Sequence, residues 1–247
     1  MRKPAGPPAI LLACLAALVY LPARAASQTV DLESEIGVRV TPFAGYAPAF
    51  HRIEQRRIVI GEEVLEGAFE TSFASGPAAG VLFEVRSAGP LRVSAGALLV
   101  RRAETSARSV GVDSVAGPGA RHAIAKVALG LRFNEANPAE QIHPFNASVF
   151  AGPAYVLELS SRDAVSGLRS GPLGSWAANL GADVQFPLGT AVALDFGVED
   201  FAVLWSESAL ERRTNAEFAL GGIPARSIVH ARVSHMWLMR AALTFVF

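Results

Sequence analysis

The sequence predicts an all-β protein, a transmembrane antiparallel up-and-down β-barrel of eight strands, and three observations carry that prediction. Apolar residues recur at every second position over segments of about ten residues, longer than the five or six of an ordinary globular strand. The opposite face is rich in glycine, alanine and isolated charges, where a solvated sheet would show threonine, lysine and serine. Aromatic residues also stand ten apart on one face: Phe145 and Tyr155, Trp176 and Phe186, Trp237 and Phe247. Ten residues at about 3.3 Å rise and a tilt near 40° cover about 25 Å, the height of the apolar band of a membrane barrel. The pairs therefore read as two aromatic girdles at the two water interfaces.

The N-terminal stretch "MRKPAGPPAILLACLAALVYLPARA" has another character. A basic start at Arg2 and Lys3, an apolar run from Ala9 to Leu21 and the small-residue site Ala23-Arg24-Ala25 make residues 1–25 a secretory signal cut before Ala26. Residues 26–247 are then the barrel domain. Cys14, the one cysteine, lies inside the apolar run, too early for a usual lipid-acceptor site, so the mature chain holds no thiol and no disulfide. Losing Arg2, Lys3 and Arg24 from 22 basic residues leaves 19 against 22 acidic ones, a formal charge of −3. Such a chain has no electrostatic footprint for nucleic acid. Its only remaining lysine is Lys126.

The strands are expected at 36–47, 78–87, 90–102, 121–133, 143–157, 174–187, 190–204 and 229–247. "AIAKVALGLRF" sets Val127, Leu129, Leu131 and Phe133 on one face and Lys126, Gly130 and Arg132 on the other; "WAANLGADVQF" and "VALDFGVED" alternate in the same way. The connections alternate too: 48–77, 103–120, 158–173 and 205–228 are long, 88–89 and 188–189 short, and 134–142 intermediate. Gly89-Pro90, Asn137-Pro138 and Pro187-Leu188-Gly189 supply turn chemistry on the short side. An even strand number puts both termini on that side and the long loops on the other. Within 48–77, "RRIVIGEEVLEGAFETSF" either lengthens the first two strands or adds a hairpin that would make ten.

With "VTPFAGYA", "HPFNASVFAGPAY", "WAANLGADVQFPLG", "VALDFGVEDF" and the terminal "ALTFVF", residues 36–247 resemble the small outer-membrane β-barrel proteins of the OmpA, OmpX and OmpW type. The resemblance implies a bacterial outer-membrane location and a monomer in contact with membrane lipid and lipopolysaccharide. It also implies that Leu243, Phe245 and Phe247 form a C-terminal signal read by the barrel insertion machinery. Unlike in the larger OmpA proteins, no peptidoglycan-binding module is expected after the barrel.

The lumen-facing set is expected to hold Arg39, Glu84, Arg86, Arg92, Lys126, Arg132, Asp183, Asp195, Glu199, Arg232 and Arg240. An eight-stranded barrel is only wide enough to be filled by side chains, so these charges read as a mutually paired plug, with a narrow path for a small hydrophobic or ionic solute as the alternative. Arg52, Arg56, Arg57, Glu62, Glu63, Glu66, Glu207, Glu211, Arg212 and Arg213 are expected in outward loops that are solvated or bind a surface ligand. No enzyme, cofactor or metal is expected, although some small barrels of this kind act on lipids or peptides. Ser234 and His235 are adjacent in a strand and so point to opposite faces. His51, His122, His143 and His230 lack ligand spacing and read as interfacial or loop residues. A soluble lipocalin-like carrier with the oily face inside is the remaining alternative fold.

Overall fold

The computed structural model describes residues 38–86, 90–109, 112–133, 145–160 and 172–246. The predicted signal at 1–25 and Phe247 lie outside the described residues, as does the side chain of Arg86. The strands in chain order are β1 (Val38–Ala47), β2 (Phe50–Ile60), β3 (Glu63–Phe73), β4 (Gly76–Arg86), β5 (Leu91–Arg101), β6 (Glu104–Ser109) and β7 (Val112–Pro118). They continue as β8 (Arg121–Phe133), β9 (Asn146–Ser160), β10 (Leu173–Pro187), β11 (Val192–Leu204), helix α1 (Glu207–Leu220), β12 (Ala225–Ala231) and β13 (Ser234–Val246).

Eight of these close a barrel in the order β1-β13-β11-β10-β9-β8-β5-β4, every neighbouring pair antiparallel. Closure is by β1, whose Phe43 lies opposite Gly80 of β4 and Ala242 of β13. A closed sheet leaves no unpaired backbone edge, which is what a strand protein needs in lipid. Exposure alternates along each barrel strand. In β8, Val127, Leu129, Leu131 and Phe133 are exposed while His122, Ile124, Lys126, Ala128 and Arg132 are buried. The oily face is thus outside, which rules out the lipocalin-like arrangement.

The barrel strands match those read from the sequence, with ends shifted by three residues at most except in the last. There the predicted 229–247 segment is broken: β12 leaves the barrel, and β13 begins at Ser234. The break corrects one lumen assignment, because Arg232 falls in the connector and is exposed, its backbone N–H bonded to the Ile53 carbonyl.

Three of the long connections are not loops, and most of the fourth, 158–173, lies outside the described residues. Residues 48–77 fold as the hairpin β2–β3, 103–120 as the hairpin β6–β7, and 205–228 as α1 leading into β12. Together they build a second sheet in the order β12-β2-β3-β6-β7, so the extra hairpin joins this sheet and the barrel stays at eight. The helix follows from composition: "ESALERRTNAEFAL" is rich in alanine, leucine, glutamate and arginine, begins with Glu207 in its first turn and stops at Gly221. Its periodicity is weak because only Leu210 and Thr214 are buried, which hid it from a hydrophobic-pattern reading.

Candidate functional site

The interior is stratified along the barrel axis. At the end with the termini and the turn between β10 and β11, five cations face four carboxylates: Arg39, Arg92, Lys126, Arg132 and Arg240 against Glu84, Asp183, Asp195 and Glu199, all buried. Arg240 is the hub. Its Nε donates to Glu199 Oε1 at 3.1 Å, its Nη2 to Asp183 Oδ2 at 2.9 Å, and its Nη1 to Asp195. Arg92 donates to Asp183 Oδ2 at 2.6 Å and Glu84 Oε2 at 3.1 Å, and Arg132 to Glu84 Oε1 at 2.8 Å. Arg39 donates to Gln185 Oε1 at 2.8 Å and lies 3.9 Å from Glu84. Lys126 donates to Glu199, and Gln185 to Asp195 at 2.9 Å.

Of the predicted lumen set, these nine come together across seven strands of the barrel, Arg232 does not, and the Arg86 side chain lies outside the described residues. Glycine makes the room. A Cβ on Gly197 would stand 2.8 Å from Arg240 Nε, and one on Gly130 2.7 Å from Arg92 Nε, so the two guanidinium groups lie in clefts that only glycine leaves. The cavity that remains among Thr41, Arg92, Lys126, Asp183 and Arg240 measures about 10 Å³, of the order of a single water. Phe150 roofs this layer, with the Arg92 guanidinium 4.7 Å and the Lys126 ammonium 4.9 Å from its ring centre.

Above Phe150 the lumen turns apolar. Phe43, Leu82, Leu98, Ile124, Val156, Phe201, Val203, Met236 and Leu238 are buried in one cluster. The sequence reading did not anticipate this layer, because segments such as "DFAVLW" and "HMWLM" carry apolar residues on both parities. Parity alone cannot tell a lipid-facing from a lumen-facing residue there.

The second sheet closes the opposite end of the barrel, the outer end in the orientation expected from the long connections. Phe50 and Phe73 stack at 4.5 Å with 5° between their planes, and His122 meets both edge-on at 5.8 and 5.2 Å. His122 is fully buried, so the interfacial or loop role expected for it is corrected, and neither ring nitrogen has a partner among the described residues. Arg102 clamps the junction of barrel and outer sheet: its Nη1 donates to the carbonyls of Pro48 and Ala74, and its N–H to that of Ala120. Burial pushes its pKa down to about 10, with no carboxylate bonded to it among the described residues.

Next to this junction runs a six-membered charge ladder, Arg56–Glu54–Arg52–Glu158–Arg213–Glu217. Arg56 Nε and Arg52 Nε donate to the two oxygens of Glu54 at 2.8 and 2.7 Å. Arg52 Nη1 and Arg213 Nη1 donate to the two oxygens of Glu158, each at 2.9 Å, and Arg213 Nε lies 3.6 Å from Glu217. The ladder ties β2 to β9 and α1. Arg52 is buried, contrary to the solvated position expected of it; it lies 4.9 Å from the Trp205 ring centre. Burial works against the charges of Glu54 and Arg52, but their partners outweigh it, holding Glu54 below and Arg52 above their ordinary values. The carboxylate Glu158 was missed because it falls at a strand end, where a loop was expected.

On the outside, Tyr155, Trp176 and Trp237 are exposed toward the outer end of their strands, Tyr155 and Trp176 edge-to-face at 5.2 Å. Toward the short-turn end, Phe186 meets Phe145 at 6.2 Å and Phe196 at 6.3 Å. Leu180, 64% exposed, lies between the two groups on β10. Leu243 and Phe245 fall on this outer face at intermediate exposure. Ser234 points inward and accepts from Trp205 Nε1 at 2.9 Å, while His235 points outward to Asp200 at 2.6 Å, so the two do not act together.

A closed eight-stranded meander with an oily exterior and a charged interior has the fold of the small outer-membrane barrels. Among solved structures, the outer membrane protein OprG from Pseudomonas aeruginosa matches 88% of this chain and 99% of its own, with a TM-score of 0.56 and 12% identity. The N-terminal barrel domain of Pseudomonas aeruginosa OprF matches 81% and 99%, with a TM-score of 0.43 and 10% identity. No family model matches the sequence, and no curated protein does.

Proposed function

We infer that the chain is an integral outer-membrane protein whose lumen is plugged and whose outer sheet and helix serve surface interaction without catalysis. The observation that carries this reading is the pairing inside: each carboxylate of the inner layer is bonded to at least one cation, and Phe150 covers that layer from above. Ionic side chains bonded on several sides resist displacement, since an unpaired buried charge costs several kcal/mol. In this reading residues 1–25 act as the cleaved export signal, lipopolysaccharide surrounds the outer girdle, and Leu243, Phe245 and Phe247 address the insertion machinery.

Planar-bilayer recording tests the plug. The wild-type protein is expected to give no stepwise conductance, and regular steps would replace the plugged reading with an ion path. The buried apolar cluster above Phe150 favours a second reading, passage of small hydrophobic solutes. Uptake of an apolar dye into protein-loaded vesicles would reveal it in the absence of ion conductance.

The membrane assignment has its own test. Leu180→Arg, midway between the aromatic groups of β10, is expected to lower unfolding stability in lipid vesicles by about 2–4 kcal/mol. Leu220→Arg at the exposed end of α1 is expected to change it little. Equal tolerance of both would place the exterior in water.

A further inference from the structure

We propose that the cleft between the outer sheet and α1 binds one ring of a neutral saccharide. This rests on the reading of the sheet-bearing end as the surface end of the barrel, and it names the ligand class of that surface.

The cleft opens where Phe69 and Thr71 of β3 and Ser106 of β6 face Arg213 and Glu217 of α1, with Arg56 of β2 at its side. It has a water-accessible volume of about 40 Å³, four times that of the lumen cavity, and is open to solvent on one side. Its polar wall is made by Arg52, Arg56, Glu158, Arg213 and Glu217 of the charge ladder, with Glu54 buried behind them. An anion entering there would compete for Arg52 and Arg56 with carboxylates already 2.7–2.9 Å away, and a cation would compete in the same way for Glu54 and Glu158. A net-neutral ligand meets no such competition.

The unspent valences point the same way. Arg56 Nη1 and the hydroxyls of Thr71 and Ser106 have no partner among the described residues. They offer donors and hydroxyl acceptors side by side, the complement of a polyol whose every hydroxyl both donates and accepts. The Phe69 ring, held under the Arg56 guanidinium at 3.7 Å, gives the apolar C–H face of a sugar a wall to lie against. A peptide is a poorer match, because β3 at the floor is already paired on both sides, by β2 and by β6, and offers no free backbone edge.

Saturation-transfer NMR on the full chain in a zwitterionic detergent, which carries no sugar headgroup, tests the proposal. The probes are the methyl glycosides of glucose, galactose, mannose and N-acetylglucosamine, with glucose 6-phosphate as the charged comparison. At least one neutral glycoside is expected to bind, and Thr71→Val and Arg56→Met are each expected to weaken it at least tenfold. Glu66→Gln, on the exposed hairpin outside the cleft, is expected to leave affinity unchanged. No transfer from any neutral glycoside, or stronger binding of glucose 6-phosphate, overturns the proposal. A heat-modifiable electrophoretic mobility checks the barrel independently, so a failed sugar site in an intact barrel is distinguishable from a failed membrane assignment. A second arm separates the sources of the sugar. Competition by lipopolysaccharide bearing neutral outer chains identifies the cell's own envelope, and competition only by free oligosaccharides of eukaryotic glycoproteins identifies a foreign surface.

Discussion

Replacing Arg240 with alanine is expected to lower the unfolding free energy by about 3–5 kcal/mol, the cost of leaving buried carboxylates without their cation. Three of them, Asp183, Asp195 and Glu199, converge on this one guanidinium. Asp183 keeps Arg92 and Glu199 keeps Lys126, whereas Asp195 keeps only the neutral amide of Gln185. The damage should therefore centre on Asp195, and the double variant Arg240→Ala with Asp195→Asn is expected to recover a large part of the loss. Urea titration in lipid vesicles followed by tryptophan fluorescence gives the number. Equal losses in the single and double variants would mean that Arg240 acts through packing. In bilayers the single variant is also expected to begin conducting, because the truncation empties the cleft over Gly197 at the centre of the polar layer.

The second large effect belongs to Glu158. Glu158→Gln removes the charge that holds Arg52 of β2 and Arg213 of α1 to β9 while keeping the shape. It leaves the buried Arg52 guanidinium beside Trp205 with Glu54 as its one remaining carboxylate, and a loss of about 3 kcal/mol is expected. The loss should fall on the outer sheet and helix. Limited proteolysis is expected to cut within 48–77 and 205–233 while the barrel keeps its heat-modifiable mobility. Cleavage of the barrel strands at the same rate would show that the two layers unfold as one unit.

Acid should imitate this variant. Glu54 has its pKa held below the ordinary glutamate value of 4.5, with burial opposing and Arg52 and Arg56 prevailing. A depressed carboxylate contributes stability that is complete above its unfolded value and lost as pH falls through its folded value. The outer sheet is therefore expected to keep its protease resistance from neutral pH down to about 4.5 and to lose it progressively below. Glu54→Gln, which has no such proton to gain, should be weaker throughout and flat over that range.

Much of the barrel was legible because membrane strands obey two local rules at once, alternation of environment and a fixed crossing length. Tyr155, Trp176, Phe186 and Trp237 are exposed where ten-residue spacing put them, and nine of the eleven proposed lumen charges are buried together. The exception with a described side chain, Arg232, fails for a local reason: the chain leaves the barrel before it, and parity counted back from Phe247 does not register a break.

Where one parity is apolar and the other small or charged, the sequence by itself determined which residues face outward and which face inward, because a period-two pattern against a one-sided solvent leaves a strand one orientation. It also pointed to eight strands, through turns and long connections that alternate along the chain, but left open whether the hairpin in 48–77 joined the barrel, which the structure answered by placing it in the second sheet. Only the tertiary structure decided what the long connections do. The pairings of Phe73 with Thr105 and of Val59 with Arg226 join segments far apart in the chain, and no local periodicity encodes them. The burial of Arg52, Glu158 and His122 follows from that second sheet folding over the mouth. A charged residue at a strand end reads as solvated until another segment covers it.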